Sequence, residues 1–234
     1  MSRRPDRVAQ LLLLLLLGVV VLIVAGTDRY LDYVRAGFRP LLLGAGGVLV
    51  AMAVGGLLPR PPGRPEHAGP AVGWLLAAPV AVVLVVAPPA LGAYSAGRQA
   101  APIAVPAAPP SPGIGADDPG TDHRTMTLLA YAIWSLQPDT AALDGRQVRL
   151  VGFVSPRAAG GWYVTRFSVN CCAADATAVR VAVPDGAADL APDEWVEVVG
   201  RFAEPLVDPA VGYPEPAIAA TSVQVVAPPA DSYE

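Results

Sequence analysis

The sequence predicts two parts of different character, an N-terminal α-helical transmembrane region of three helices and an all-β C-terminal domain. Three observations predict this. Residues 1–91 contain three charge-free apolar stretches, residues 92–124 are dominated by Ala, Pro and Gly, and the last 110 residues carry five short alternating patterns. Charged residues make up 15% of the 234-residue chain, well below the roughly 25% of soluble domains, and the deficit lies in the first half.

The apolar stretches are Val8–Ala25, Leu41–Leu58 and Trp74–Leu91. Each approaches the ~20 helical residues needed to cross about 30 Å of hydrocarbon. Arg3, Arg4 and Arg7 before the leucine run, with Val24-Ala25-Gly26 after it, also fit a secretory signal peptide. The block exceeds the usual apolar length of about 7–15 residues, and further apolar segments follow, so an uncleaved helix is expected. With the N-terminus inside, five Arg flank the spans on the cytoplasmic side and four on the other. The positive-inside rule therefore predicts a multi-pass plasma-membrane protein with a cytoplasmic N-terminus and, after three crossings, an extracytoplasmic C-terminal domain.

Gly47, Ala51 and Gly55 recur every four residues on one face of the second span. Small residues at that spacing let a partner helix approach closely, although an Ala/Gly-rich chain produces such a stripe by composition alone. The connector 27–40 mixes Tyr30, Tyr33 and Phe38 with five charges, which suits the headgroup layer. No charge interrupts any span, so the chain by itself has no ion path.

The prolines between Gly92 and Thr121 exclude regular helix and favour extended backbone at about 3.1 Å per residue, so residues 92–124 are expected to be a linker. Structure resumes at 125. Leu128, Leu129, Ile133, Trp134 and Leu136 fit a short helix ended before Pro138. Strands are expected at Gln147–Ser155, Trp162–Val169, around Val179–Val183, at Trp195–Phe202 and at Ala217–Val226, with turns at Gly160-Gly161 and Asp185-Gly186. On the second strand, Tyr163, Thr165, Phe167 and Val169 share one side. Five short strands without a long intervening helix predict a small OB-like barrel over 125–228, and residues 229–234 a tail.

Residues 127–234 carry six Arg against thirteen acids, net −7. That excess opposes binding to a phosphate backbone, so no nucleic-acid partner is expected. Trp162, Tyr163, Trp195 and Phe202 offer stacking surfaces, but core packing accounts for them more simply. Phosphate loops, nucleophile elbows and His-Glu-x-x-His motifs are missing, so no catalytic role is expected.

Cys171 and Cys172 are the only cysteines. Neighbouring Cα atoms lie about 3.8 Å apart, short of the usual disulfide span. The pair is open to three readings: small packing residues, a soft-metal contact with Asp175, or a redox pair. Thiolates suit Zn²⁺ or Cu⁺. In a regular strand the two side chains point to opposite faces, so both reach one ion only if the chain turns at Asn170–Ala174. His67 and His123 are the only imidazoles, too few for a closed four-ligand zinc site within one chain.

The run Leu143-Asp144-Gly145-Arg146-Gln147-Val148-Arg149-Leu150-Val151-Gly152-Phe153-Val154, then Arg166-Phe167, Cys171-Cys172-Ala173-Ala174-Asp175-Ala176 and Glu194-Trp195-Val196-Glu197-Val198-Val199-Gly200 resembles the YcgQ-like family of permease subunits. The resemblance extends to the N-terminal helices. It implies an integral membrane accessory subunit in the bilayer, a multi-helix permease as partner, and metal ions, zinc foremost, as the transported class. Family members often carry a His-rich loop after the second helix; here Pro59–Pro70 holds only His67, which weakens a metal role for that loop. The competing expectation is a self-contained membrane-anchored thiol module that binds soft metal or exchanges disulfides through Cys171 and Cys172.

Overall fold

The computed structural model describes residues 3–58, 89–99, 118–186, 189–207 and 212–234. The chain forms two units, Met1–Pro89 and Ala90–Glu234.

In the first unit, α1 (Arg3–Gly26) and α2 (Arg39–Leu57) pack as a helical hairpin. Both are long and apolar enough to cross a bilayer by length and composition, over Val8–Gly26 and Ala36–Leu57. The third expected span falls at residues 74–88 outside the described residues; Ala90 and Leu91 belong to the second unit. The connector is two short 3₁₀ turns, Asp28–Asp32 and Ala36–Phe38, which bury Tyr30 and Leu31. Arg39 donates from Nε to the Ala25 carbonyl at 3.0 Å and stacks over the Tyr30 ring. A cation there satisfies a carbonyl that α1 leaves open and faces the negative end of its dipole. Pro40 in the first turn of α2 costs no hydrogen bond, because that amide has no helical acceptor.

The hairpin closes on small residues. A Cβ on Gly18 would lie 2.9 Å from Val50 Cγ2 and 3.0 Å from the Gly46 carbonyl oxygen. One on Gly46 would lie 2.8 Å from Leu22 Cγ. Close backbone approach replaces a hydrophobic driving force where both helices sit among apolar neighbours.

The second unit is a closed five-stranded β-barrel with a preceding helix, as expected. Its elements are α3 (Ala93–Gly97), β1 (His123–Thr125), α4 (Leu128–Ser135), β2 (Gln147–Pro156), β3 (Trp162–Ser168), β4 (Thr177–Val183), β5 (Trp195–Val207) and β6 (Pro214–Val225). The sheet runs β1-β2-β3-β4-β6-β5 and closes through β5–β2. β1–β2 and β4–β6 are parallel; the other pairs are antiparallel. Typical register pairs are Leu150 with Val198 and Val164 with Val181. The turn between β2 and β3 takes Gly160 and Gly161 to φ of 90° and 68°, where a Cβ is strained. β5 continues five residues past the expected Phe202, because register shifts between Ala203 and Leu206 accommodate Pro205, which has no amide to donate.

Val148, Leu150, Val154, Trp162, Val164, Val181, Val196 and Ile218 fill the barrel under α4, with Tyr131 bonding the Ala217 carbonyl. The side of β3 that carries Tyr163, Thr165, Phe167 and Val169 is buried too, but on the outside of the barrel. Tyr163 packs against Ala182 and Ala217, and two segments cover the Phe167 end. Ala93 and Ala96 of α3 pack against Phe153, Phe167, Val169 and Ala178, and Tyr233 sets its ring edge-on to Phe167. Part of the expected linker is therefore structural: residues 90–99 are docked on the barrel and 123–125 pair with β2, while 100–117 lie outside the described residues. The expected tail is docked as well. Tyr233 bridges to Phe167, and Glu234 accepts from the Leu128 and Leu129 amides at the start of α4, beside the Thr127 cap. Alternation alone cannot tell a covered outer face from the core.

Candidate functional site

β3 ends at Ser168 and β4 begins at Thr177, and the eight residues between them carry the cysteines. A 3₁₀ turn at Ala173–Asp175 reverses the chain, with Cys172 extended before it. Two alanines leave the turn uncrowded, and a carboxylate three residues past Cys172 is placed to fold back on it. Asp175 does so. Its Oδ1 accepts from the Asn170 amide at 3.0 Å and its Oδ2 from the Cys171 amide at 2.9 Å.

This clamp takes Cys171 and Cys172 out of strand alternation. Their sulfurs lie 3.4 Å apart as free thiols, Cys171 exposed and Cys172 half-buried. One ligand atom from each of Cys171, Cys172 and Asp175 falls within 4.8 Å of the others, so the group can hold a metal ion. Two sulfurs at Zn–S bonds of about 2.3 Å and a tetrahedral angle stand roughly 3.8 Å apart. The pair therefore needs only a small adjustment to fit.

Hydrogen bonding reinforces the ordinary charge states of the two groups. The bond to Asp175 first, and that to Cys172 second, push the Cys171 thiol up to about 12. The same Cys171 contacts hold Asp175 below the usual carboxylate range. Without an ion, Cys171 is thus a protonated donor and Asp175 a charged acceptor. A cation would take the place of the thiol proton.

Of the imidazoles, His123 lies on β1 with Nε2 3.6 Å from Asp118 Oδ2, outside this group, and His67 lies outside the described residues. On α2, Gly47 and Gly55 have nothing within 4 Å of a built Cβ among the described residues, and Ala51 is exposed. That stripe is not used by the hairpin, which closes on Gly18, Gly46 and Ala53 instead. Trp162 and Tyr163 are buried. Trp195 packs edge-on to Phe153 and under Arg166, and Phe202 packs against the core.

Two outer-surface features carried no motif. Buried Glu215 accepts from Tyr163 and pairs with Arg157 at 3.1 Å, and Arg180 stacks on the other partner, Tyr163. An open groove of about 480 Å³ is lined by Arg149, Arg166 and Glu197 with Met126, Val151 and Val226. Its charges are largely answered within the chain, by the 2.5 Å Arg149–Glu197 pair and by the Arg166 bonds to the Asp231 and Tyr233 carbonyls. The residue nearest the thiol turn that sequence reasoning missed is Gln99. Its side chain donates to the Ala176 carbonyl at 3.2 Å and accepts from the Ala178 amide at 2.9 Å. A lone glutamine in an Ala/Pro-rich stretch gives no signal.

No curated protein and no solved structure matches the chain. Residues 130–234, which hold the thiol turn and the five barrel strands, match the family described as the DUF1980 C-terminal domain.

Proposed function

We propose that this chain is a membrane-anchored accessory subunit of a permease, and that Cys171, Cys172 and Asp175 bind a thiophilic cation, zinc foremost, on its behalf. The observation that carries the metal reading is the Asp175 clamp, which gathers two sulfurs and a carboxylate within 4.8 Å. Three protein ligands leave a fourth position for water or for a residue of the partner, which suits handing an ion on rather than burying it.

The barrel is best described as OB-like: β2-β3-β4-β6-β5 closing on β2, with a parallel β4–β6 pair, supports this. Three spans, a cytoplasmic N-terminus and an extracytoplasmic barrel at the plasma membrane complete the reading. Its warrant is the two apolar helices, the apolar stretch 74–91 and the Arg distribution. The open stripe Gly47, Ala51 and Gly55 is the surface offered to a permease helix.

Zn²⁺ titration of the full chain in mild detergent, against a chromophoric chelator, tests the site. Cys171→Ser/Cys172→Ser should weaken uptake by more than about 100-fold, since loss of even an outer-shell partner costs 10–100-fold. Equal uptake by wild type and the double variant rejects the metal site. The subunit reading expects a multi-helix protein to co-purify from native membranes, and Gly47→Leu to abolish that. Disulfide exchange is the weaker alternative, because neighbouring Cα atoms about 3.8 Å apart strain a bridge between the two sulfurs.

A further inference from the structure

Gln99 belongs to a segment with little reason to be ordered alone. α3 has five residues, and an isolated helix of that length is unstable in water. Its two buried side chains, Ala93 and Ala96, are alanines with little apolar surface to contribute. Polar contacts to the barrel hold it instead. Asp193 accepts from the Ala93 amide, the Tyr233 hydroxyl accepts from the Leu91 amide at 3.1 Å, and Gln99 makes its paired bonds to Ala176 and Ala178.

The last pair has a particular location. Ala176 directly follows Asp175, the residue that clamps the Asn170 and Cys171 amides, and its amide closes the 3₁₀ turn by bonding the Ala173 carbonyl. Gln99 grips the exit of the turn from both sides of Thr177. The Gln99 side chain therefore ties the turn to the 90–99 strap, alongside the packing of Ala173 and Ala176 on the cluster that holds Ala93 and Ala96.

Building on the metal reading above, we propose that Gln99 is a positioning residue of the thiol turn, so that cation binding and docking of the strap stabilise each other. An ion on both sulfurs and Asp175 rigidifies the exit of the turn, which presents the Ala176 carbonyl and the Ala178 amide to Gln99 in fixed positions. A docked strap, in return, holds the turn in its ligand-gathering shape. Coupling of this kind is reciprocal: the factor by which zinc favours docking equals the factor by which docking favours zinc. The strap begins within the apolar stretch 74–91, at Ala90 and Leu91.

Gly92 supplies a test away from both cysteines. A Cβ there would collide with Asp193 Oδ1, the acceptor that holds the Ala93 amide. Gly92→Ala should loosen the strap while leaving the turn and Gln99 chemically intact.

The experiment uses the full chain in detergent, with Zn²⁺ as probe, chelator competition for affinity and hydrogen exchange for strap docking. In wild type, zinc should slow exchange of the Ala93 and Ala96 amides by about fivefold or more. Gln99→Ala and Gly92→Ala should each weaken zinc binding by a similar factor and abolish the slowing. Gln99→Glu, which keeps the acceptor for Ala178 and loses the donor for Ala176, should fall between. A purely structural strap would lower the thermal midpoint of these variants and leave zinc affinity unchanged, and that result overturns the proposal. The proposal also fails alone if wild type takes up zinc, the double serine variant does not, and strap exchange is indifferent to the ion. Absence of zinc uptake by wild type removes the metal reading and the coupling together.

Discussion

The helical hairpin and the barrel are packed inside out relative to one another. In α1–α2 the hidden residues, among those described, are Gly18, Ala25, Gly46 and Ala53, while Ile23 and Leu41 are 61% and 66% exposed. In the barrel Leu128, Leu150, Phe167 and Ile218 are sealed and the surface carries the acidic excess. On the membrane reading proposed above, the inversion follows from the solvent. Against lipid, large apolar side chains gain nothing by turning inward, and contact energy comes from backbones meeting over small residues. In water the same side chains are driven inside at about 25 cal/mol per Å². Each unit is stabilised by the side chains that would be its weakness in the other medium.

The sharpest way to break this comparison is to truncate a large apolar residue in each unit. Phe167→Ala should cost the barrel about 3–5 kcal/mol in denaturant melts, the range for a sealed aromatic. Leu16→Ala, at a side chain 46% exposed, should leave hairpin association unchanged in the same detergent. Equal effects would mean the two units share one solvent.

Enlarging a glycine gives the reverse contrast. Gly18→Leu should weaken α1–α2 packing by about 1–3 kcal/mol through overpacking, read as loss of compact migration or of intramolecular energy transfer. Gly47→Leu adds its side chain to open space and should leave the hairpin intact. If both substitutions open the hairpin, the free stripe on α2 is an internal contact and not a docking surface.

The smallest effect expected is at the thiol turn, whose ties are exposed hydrogen bonds. Asp175 has a folded pKa below its unfolded value near 3.8. Its clamp is therefore fully present above the unfolded pKa and lost as pH falls through the folded one. Acid titration should release the Asn170 and Cys171 amides to exchange while the β3–β4 amides stay protected. Simultaneous loss of both sets would join the turn to the barrel core.

Much of this organisation was legible because it is local. Strand starts at Gln147, Trp162 and Trp195 and the helix after Thr127 coincide with alternation, turn glycines and a cap, all within reach of a few residues. The side of β3 bearing Phe167 was legible as a stripe but not as an outer face, since what covers it arrives from residues 90–99 and from Tyr233. The end of β5 was missed because Pro205 reads as a stop, and only the partner strand reveals the register shift that admits it. The docked part of the expected linker is hidden from the sequence for a similar reason. Ala93, Ala96 and Gln99 look like ordinary tether until the barrel supplies their partners. At the site, the vicinal thiols and Asp175 stood out by type and spacing, and the need for a turn was evident from strand geometry. The carboxylate that makes that turn, by capping Asn170 and Cys171, required the coordinates.

By itself the chain of residues determined which stretches are apolar enough for a bilayer, where the strands run, and which side chains can ligate a soft ion, because periodicity and chemical type are properties of neighbours in sequence. The tertiary structure alone decided which glycines touch, which side of β3 is sealed from outside, and that Gln99 grips the thiol turn. Those contacts join residues tens of positions apart, and their free energy exists only once the hairpin or the barrel has brought both partners together.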